Sequence, residues 1–304
     1  MRFDRLLVGL FLALPLACAS SSSSRTGEGI SSSTAWVEST VERGQGEVDL
    51  KVMTFNIQSG LRGLDKVAEV IRSAAPDIVA LQEVDVGSVR AGGKNQPAVL
   101  AGLTGLPYHS HFRTTTLWGG DYGVALLSRF PLVSVEQHPL PVATGAEPRT
   151  VARAILDVQG QEVSVYVTHL TRRPFNDSVR IQQSVAILAL MAKDPRPKLL
   201  MGDMNDTPES SSLRLFKREL RDVFALRGEG PAITYPLPII PSLRIDYVLT
   251  CDQFMPRRGK VLNVSASDHY PVVAEVTLRA PTPVPGSTPR VQEAPAVVSS
   301  SGTP

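Results

Sequence analysis

Ser267-Asp268-His269-Tyr270-Pro271 places a carboxylate beside an imidazole just before the last apolar run of the chain. Four other segments carry acids or amides in the same setting: Asn56 in Met53-Thr54-Phe55-Asn56-Ile57, Gln82-Glu83, Gly202-Asp203-Met204-Asn205, and Arg244-Ile245-Asp246-Tyr247. Each lies where a short apolar run meets a loop. A solitary Asp-His pair means little. Five such clusters, each where a buried strand surfaces, predict one polar site assembled from the whole length of the chain.

Glu83 follows Ile78-Val79-Ala80-Leu81 and so emerges from the interior, where a carboxylate is costly unless it is paired or metal-bound. Taken alone, it is equally readable as a strand-end salt bridge. Asn56 offers a neutral oxygen. Few hard oxygen ligands spread over loops suit Mg²⁺ or Mn²⁺, which keep several waters and bind substrate phosphate. No Cys-x-x-Cys or His-x-x-x-His spacing exists to hold zinc. Asp203 and Asn205 point the same way if the chain stays extended. An aspartate there can take a proton from water, and the asparagine can orient that water or a phosphate oxygen. A carboxylate hydrogen-bonded to an imidazole fixes its tautomer and raises its pKa, which makes His269 a cation source. His169 ends the run after Val163; alone, such a histidine reads as structural. Asp206 and Pro208 read as turn chemistry.

Alternating strands and helices must carry these residues. Leu50–Ile57, Asp77–Leu81, Val124–Leu127, Leu199–Met201, Ile245–Leu249 and Val272–Leu278 read as strands. Val151–Val158 and Val163–Thr168 read as a pair turning at Gln159-Gly160. Leu64, Val67, Ala68 and Ile71 fall at helical spacing before Pro76. Ile181–Met191 reads as a helix burying Ile181, Val185, Leu188 and Ala189, and Leu213–Leu220 is amphipathic. Strands outnumber helices and some form hairpins, so two packed sheets with outer helices fit better than a doubly wound parallel sheet.

The ends of the chain read differently. Arg2 and Arg5 precede an apolar run from Leu6 to Ala17, too short to span a membrane and the right length for a signal peptide within residues 1–19. Leu14-Pro15-Leu16-Ala17-Cys18 resembles a bacterial lipobox, in which Cys18 is lipidated. Ala17-Cys18-Ala19 is also an A-x-A cleavage site that would release a soluble periplasmic or secreted protein. The lipoprotein reading is favoured, with Ser20–Ser24 as a tether in a flexible linker over 20–47. Residues 281–304 are Pro-rich and read as a disordered tail, leaving 48–280 as the folded domain. Of 304 residues 42% are hydrophobic, enough for a substantial core, and the net charge of +2 gives no bulk polyanion-binding signature. Cys251, in an apolar run, reads as a small strand residue.

The ordered set Asn56, Gln82-Glu83, Thr168-His169, Gly202-Asp203-Met204-Asn205, Ile245-Asp246-Tyr247 and Ser267-Asp268-His269 resembles the endonuclease/exonuclease/phosphatase superfamily. It covers residues 50–279. The resemblance implies a four-layer α/β/β/α sandwich and metal-assisted in-line attack on a phosphate ester. It implies that Glu83 and Asn56 hold the metal, that Asp203 activates water, and that Asn205 orients the water or the phosphate. It further implies that His169 and His269 stabilise phosphoryl charge, that Asp246 binds His269, and that Asp268 completes the metal or proton network. Abasic-site endonucleases of the family carry an aspartate where this chain has Gln58 and a tyrosine where it has His169. Both departures point to sphingomyelinase-like and bacterial branches, which Tyr122–Ser128 and Arg149 also resemble; Arg149 is either a phosphate contact or a structural ion pair. The expected protein is a monomeric Mg²⁺- or Mn²⁺-dependent phosphoesterase acting on a small or lipid-linked ester. The apolar segment Thr234–Pro241 would then form a lip at the rim of the site. A nuclease is the rival within the fold. Arg113, Arg149, Arg153, Arg172 and Arg173 are available to it, but aromatics make up 6% of the chain, few for stacking bases. A catalytically dead surface binding protein is the rival outside it, yet no acid or histidine of the set is missing.

Overall fold

The computed structural model describes residues 46–172, 177–237 and 242–280. The leader with Cys18, the linker up to residue 45, the tail, Arg173 and Pro238–Pro241 lie outside the described residues. The elements run β1 (Val48–Asn56), α1 (Leu64–Ala74), β2 (Ile78–Val86), α2 (Gln96–Thr104), β3 (Tyr108–Leu117), β4 (Gly120–Ser128), β5 (Leu132–Leu140), β6 (Arg149–Val158) and β7 (Gln161–His169). After these come α3 (Asp177–Met191), β8 (Lys198–Asp203), α4 (Ser211–Glu219), β9 (Arg221–Asp222), α5 (Val223–Arg227), β10 (Gly228–Glu229), β11 (Asp246–Thr250), β12 (Phe254–Val261) and β13 (Val272–Leu278).

Two mixed sheets form. One has the order β10-β12-β13-β1-β2-β4-β3 and the other β5-β6-β7-β8-β11-β9. β1 runs parallel to β2 and β7 parallel to β8, while most other neighbours are antiparallel. The sheets pack face to face with helices outside, as expected for the α/β/β/α sandwich. Strand alternation explains the layers. Leu50 and Val52 of β1 join Val165, Val167 and Met201 in the core between the sheets. Met53 and Phe55 point the other way, onto Val67, Ala68 and Ile71 of α1 and Leu100 of α2. The inward row of β1 continues Thr54, Asn56, so its apolar part gives way to a buried amide at the strand end.

α3 turns differently from the expectation. Its buried face is Arg180, Gln183, Ser184, Ile187 and Met191, and Val185 is 52% exposed. Polar contacts decide the rotation. Gln183 Nε2 donates to Pro141 O and to Thr171 Oγ1, and its Oε1 accepts from the Thr171 amide. Arg180 pairs with Asp177 and Asp206. A fully partnered polar face is buried at no loss of hydrogen bonding, and it leaves Ile181, Val185 and Ala189 outside the buried set.

Candidate active site

The clusters converge where the inward-facing rows of both sheets end. On the first sheet, strand parity would place Glu83 with Val79 and Leu81, on the helix side. The register of β2 against β4 shifts between Leu81 and Val84, and Glu83 takes a positive φ of 55°. The bulge re-aims its side chain. Glu83 Oε1 accepts from Asn56 Nδ2 at 3.1 Å. The same Nδ2 donates to Asp203 Oδ2 at 3.2 Å, so one amide joins acids of the two sheets.

On the second sheet, β7 and β8 set Thr168 beside Gly202 and His169 beside Asp203. A Cβ on Gly202 would lie 2.0 Å from Thr168 O, so only glycine permits this approach. His169 Nε2 then sits 3.4 Å from Asp203 Oδ2. The expected alternation through Asn205 does not hold. β8 ends at Asp203, and Asn205 turns to a positive φ of 49°. Its backbone N–H donates to Asp203 Oδ1 at 2.8 Å, and its Nδ2 donates to Leu170 O at 3.1 Å. Asn205 thus fixes Asp203 by hydrogen bonding rather than by sharing a strand face. Asp206 is occupied structurally, accepting from Arg180 and Ser212.

Asp246 lies opposite Asp203 in the β8–β11 pair. Its Oδ2 is 2.9 Å from His269 Nδ1, and its Oδ1 is buried without a hydrogen-bond partner among the described residues. His269 Nε2 lies 3.8 Å from Asp203 Oδ2. Burial opposes charge on the His269 ring, but Asp246 and Asp203 together outweigh it and push its pKa up to about 10. Burial, then the Asp246 charge, pushes Asp203 up to about 7. Burial drives His169 well below the usual imidazole range, helped by the charges of Arg149 and His269. The surroundings therefore push the two histidines in opposite directions, His169 towards the neutral form and His269 towards the cation.

Asp268 is tethered by Gln58 Nε2 at 3.0 Å, and Ser267 Oγ lies 3.2 Å from its Oδ1. Ser267 Oγ also donates to Asn56 O at 2.7 Å, which locks the final loop to the end of β1. Burial raises the pKa of Glu83 and the Asp268 charge adds to the rise, against the Asn56 hydrogen bond and the charges of His269 and Arg149. Neither carboxylate has a cationic partner within ion-pair distance among the described residues. Two acids and an amide so placed, with no cation in direct contact with either carboxylate among the described residues, fit a hard divalent ion. Asp203, Asp246 and His269 also bring one ligand atom each within 4.8 Å of one another. There the imidazole Nδ1 is already engaged by Asp246 Oδ2.

Arg149 opens β6 and is buried. Its Nη1 pairs with Glu147 at 2.5 Å, while its Nε lacks a partner among the described residues. Beside Asp268 opens a cleft of about 480 Å³ lined by Arg62, Pro236, Asn263 and Tyr270. Pro236 of the Thr234–Pro241 segment thus borders the cleft. Cys251 is buried, and its sulfur accepts from the Lys198 amide.

The model of the Endonuclease/Exonuclease/phosphatase family matches residues 53–269. The chain belongs to this family. Its members include phosphoesterases. The structure titled endonuclease/exonuclease/phosphatase from Beutenbergia cavernae DSM 12333 is 30% identical, with 76% of this chain and 72% of that chain covered at a TM-score of 0.64. Sphingomyelinase C from Streptomyces griseocarneus is 22% identical, with 75% and 99% covered at a TM-score of 0.59, a likeness of fold. Protein cwh43 of Schizosaccharomyces pombe (strain 972 / ATCC 24843) is 29% identical over 141 residues, 45% of this chain. The chain spans 14% of the length of that curated relative.

Gln58 and Thr234 carry contacts at the site that the sequence did not announce. Gln58 stands out in sequence only as a departure from the abasic-endonuclease pattern, and Thr234 has no motif at all.

Proposed function

We propose that the protein hydrolyses a small or lipid-linked phosphate mono- or diester with the help of Mg²⁺ or Mn²⁺. The observation that carries this reading is the Asn56 amide, which binds Glu83 on one sheet and Asp203 on the other. It sets the proposed metal ligands beside the proposed base. Glu83, Asn56 and Asp268 would hold the ion, which when bound supplies positive charge to a phosphate oxygen. Asp203, with a pKa near neutrality, takes a proton from the attacking water. Asn205 holds that carboxylate in place. The water oxygen bonds to phosphorus as the bond to the leaving oxygen breaks, in line. Cationic His269, oriented by Asp246, donates to a phosphoryl oxygen, and neutral His169 donates a second hydrogen bond. Arg149 would add positive charge near the same anion.

Sphingomyelinase C among the fold neighbours, the modest net charge and the proline-rich rim support a lipid or small-ester substrate over DNA. Export with an anchor at Cys18 belongs to the same proposal, and the intact mass of the mature N-terminus tests it. The substrate is tested with bis-nitrophenyl phosphate, sphingomyelin vesicles, inositol phosphates and plasmid DNA, each with and without Mg²⁺. Turnover of an ester or lipid above that of DNA is expected. Efficient plasmid cleavage with no turnover of the others would assign a nuclease instead.

A further inference from the structure

β11 is paired along its whole length by β8, but on its other edge β9 reaches only Leu249 and Thr250. The amides that lead into Asp246 therefore need a partner that no strand provides. Thr234 supplies it from a separate segment. Its side chain is fully buried, and its Oγ1 accepts from Ile245 N at 2.9 Å and from Asp246 N at 3.2 Å. Its carbonyl accepts from Tyr270 N at 2.7 Å, and its own amide donates to Leu243 O at 2.9 Å. Ile245 O in turn accepts from Met204 N at 2.8 Å, between Asp203 and Asn205. One small residue thus ties the start of β11, the loop after His269 and, through Ile245, the Asp203 turn.

We infer that Thr234 is a positioning residue for the Asp246–His269 pair, acting through its buried hydroxyl. This rests on the reading of that pair as catalytic. The hydroxyl oxygen uses its acceptor capacity on two consecutive amides, so it sets the height at which Asp246 leaves the sheet. The carbonyl holds the other end of the pair, at Tyr270. A displacement of either end would lengthen the 2.9 Å contact between Asp246 and His269 Nδ1. Thr234 touches neither substrate nor reacting atoms, so its loss should act on turnover and spare binding.

The test compares Thr234→Val, which keeps the shape and removes the acceptor, with Thr234→Ser, which keeps the hydroxyl. The valine variant is expected to lose about 10-fold or more in kcat with KM within about threefold, while serine stays within about threefold of wild type. In a His269→Ala background the valine change should cost less than about twofold more, because the pair it serves is already gone. Thermal unfolding is followed in parallel. If the valine variant is unfolded at the assay temperature, Thr234→Ala against Thr234→Ser provides the same comparison. Wild-type kcat without the hydroxyl overturns the inference. So does a serine variant as slow as valine, or a full additive loss in the His269→Ala background. If His269→Ala alone keeps wild-type turnover, the catalytic reading of the pair fails, and the inference falls with it.

Discussion

Asp203 receives an amide N–H from Asn205, an Nδ2–H from Asn56, and the approach of two imidazoles, yet burial and Asp246 keep its pKa near 7. A carboxylate in that state is matched to accepting a proton at neutral pH. Asp203→Asn and His269→Ala should each lower kcat by at least about 10²-fold, and the double variant should lose less than the product of the two. Steady-state kinetics on the best ester checks this. Wild-type-like rates in both single variants would remove these residues from the mechanism. Asn56, Glu83, His169, Asp203, Asp246, Asp268 and His269 were legible in sequence as candidates because each lies where an apolar run meets a loop. Their aims were only partly legible. Strand parity puts Glu83 on the wrong face, and only the bulge with its positive φ corrects it. Asn205 leaves the strand direction that alternation assumes. Thr234 and Gln58 act through backbone amides and a single side-chain bond, contacts with no sequence period.

At the scale of elements, the β7–β8 pair is the hinge of the account, because it sets His169 opposite Asp203. Gly202→Ala drives a methyl group into Thr168 O, and the strands must separate. Overpacking of this kind costs about 1–3 kcal/mol. Urea unfolding should show that loss, and turnover should fall with it because Asp203 shifts relative to His169. A variant with unchanged stability and activity would show that the approach of the strands is not constraining. The central strands β1, β2, β7, β8 and β11 were readable as apolar runs. β3 and β5 were not, since they are edge strands and β5 is largely exposed and polar. The Arg-rich β12 lacks a continuous apolar run for the same kind of reason. α3 was placed correctly but rotated, because Gln183, Ser184 and Arg180 bury themselves with full hydrogen bonding. Apolar periodicity alone cannot foresee that.

For the whole molecule, stability and catalysis draw on different ionic clusters. Asp194 is a buried carboxylate that accepts from Tyr166 Oη and from Arg153 and Arg196. Burial alone would raise its pKa, but the nearby Ser164 hydroxyl and the hydrogen bonds from the Arg196 amide, Tyr166 and the Arg196 guanidinium lower it from 3.8 to about 2. A carboxylate depressed in the fold stabilises it above the unfolded pKa, and that stability disappears as pH falls through the folded value. Asp194→Asn should therefore lose of order 1–2 kcal/mol at neutral pH and show a shallower fall in Tm between about pH 4 and pH 2. Parallel Tm–pH curves for the two proteins would exclude Asp194 as a source of acid lability. In the other cluster, Glu83, Asn56 and Asp268 are proposed to hold a divalent ion. That role is tested most directly by Glu83→Gln, assayed over a Mg²⁺ titration on the best ester substrate with Tm measured alongside. A folded protein with wild-type-like melting and a loss of Mg²⁺-dependent turnover of at least about 10²-fold is expected. Near-wild-type turnover with an unchanged Mg²⁺ dependence would contradict it.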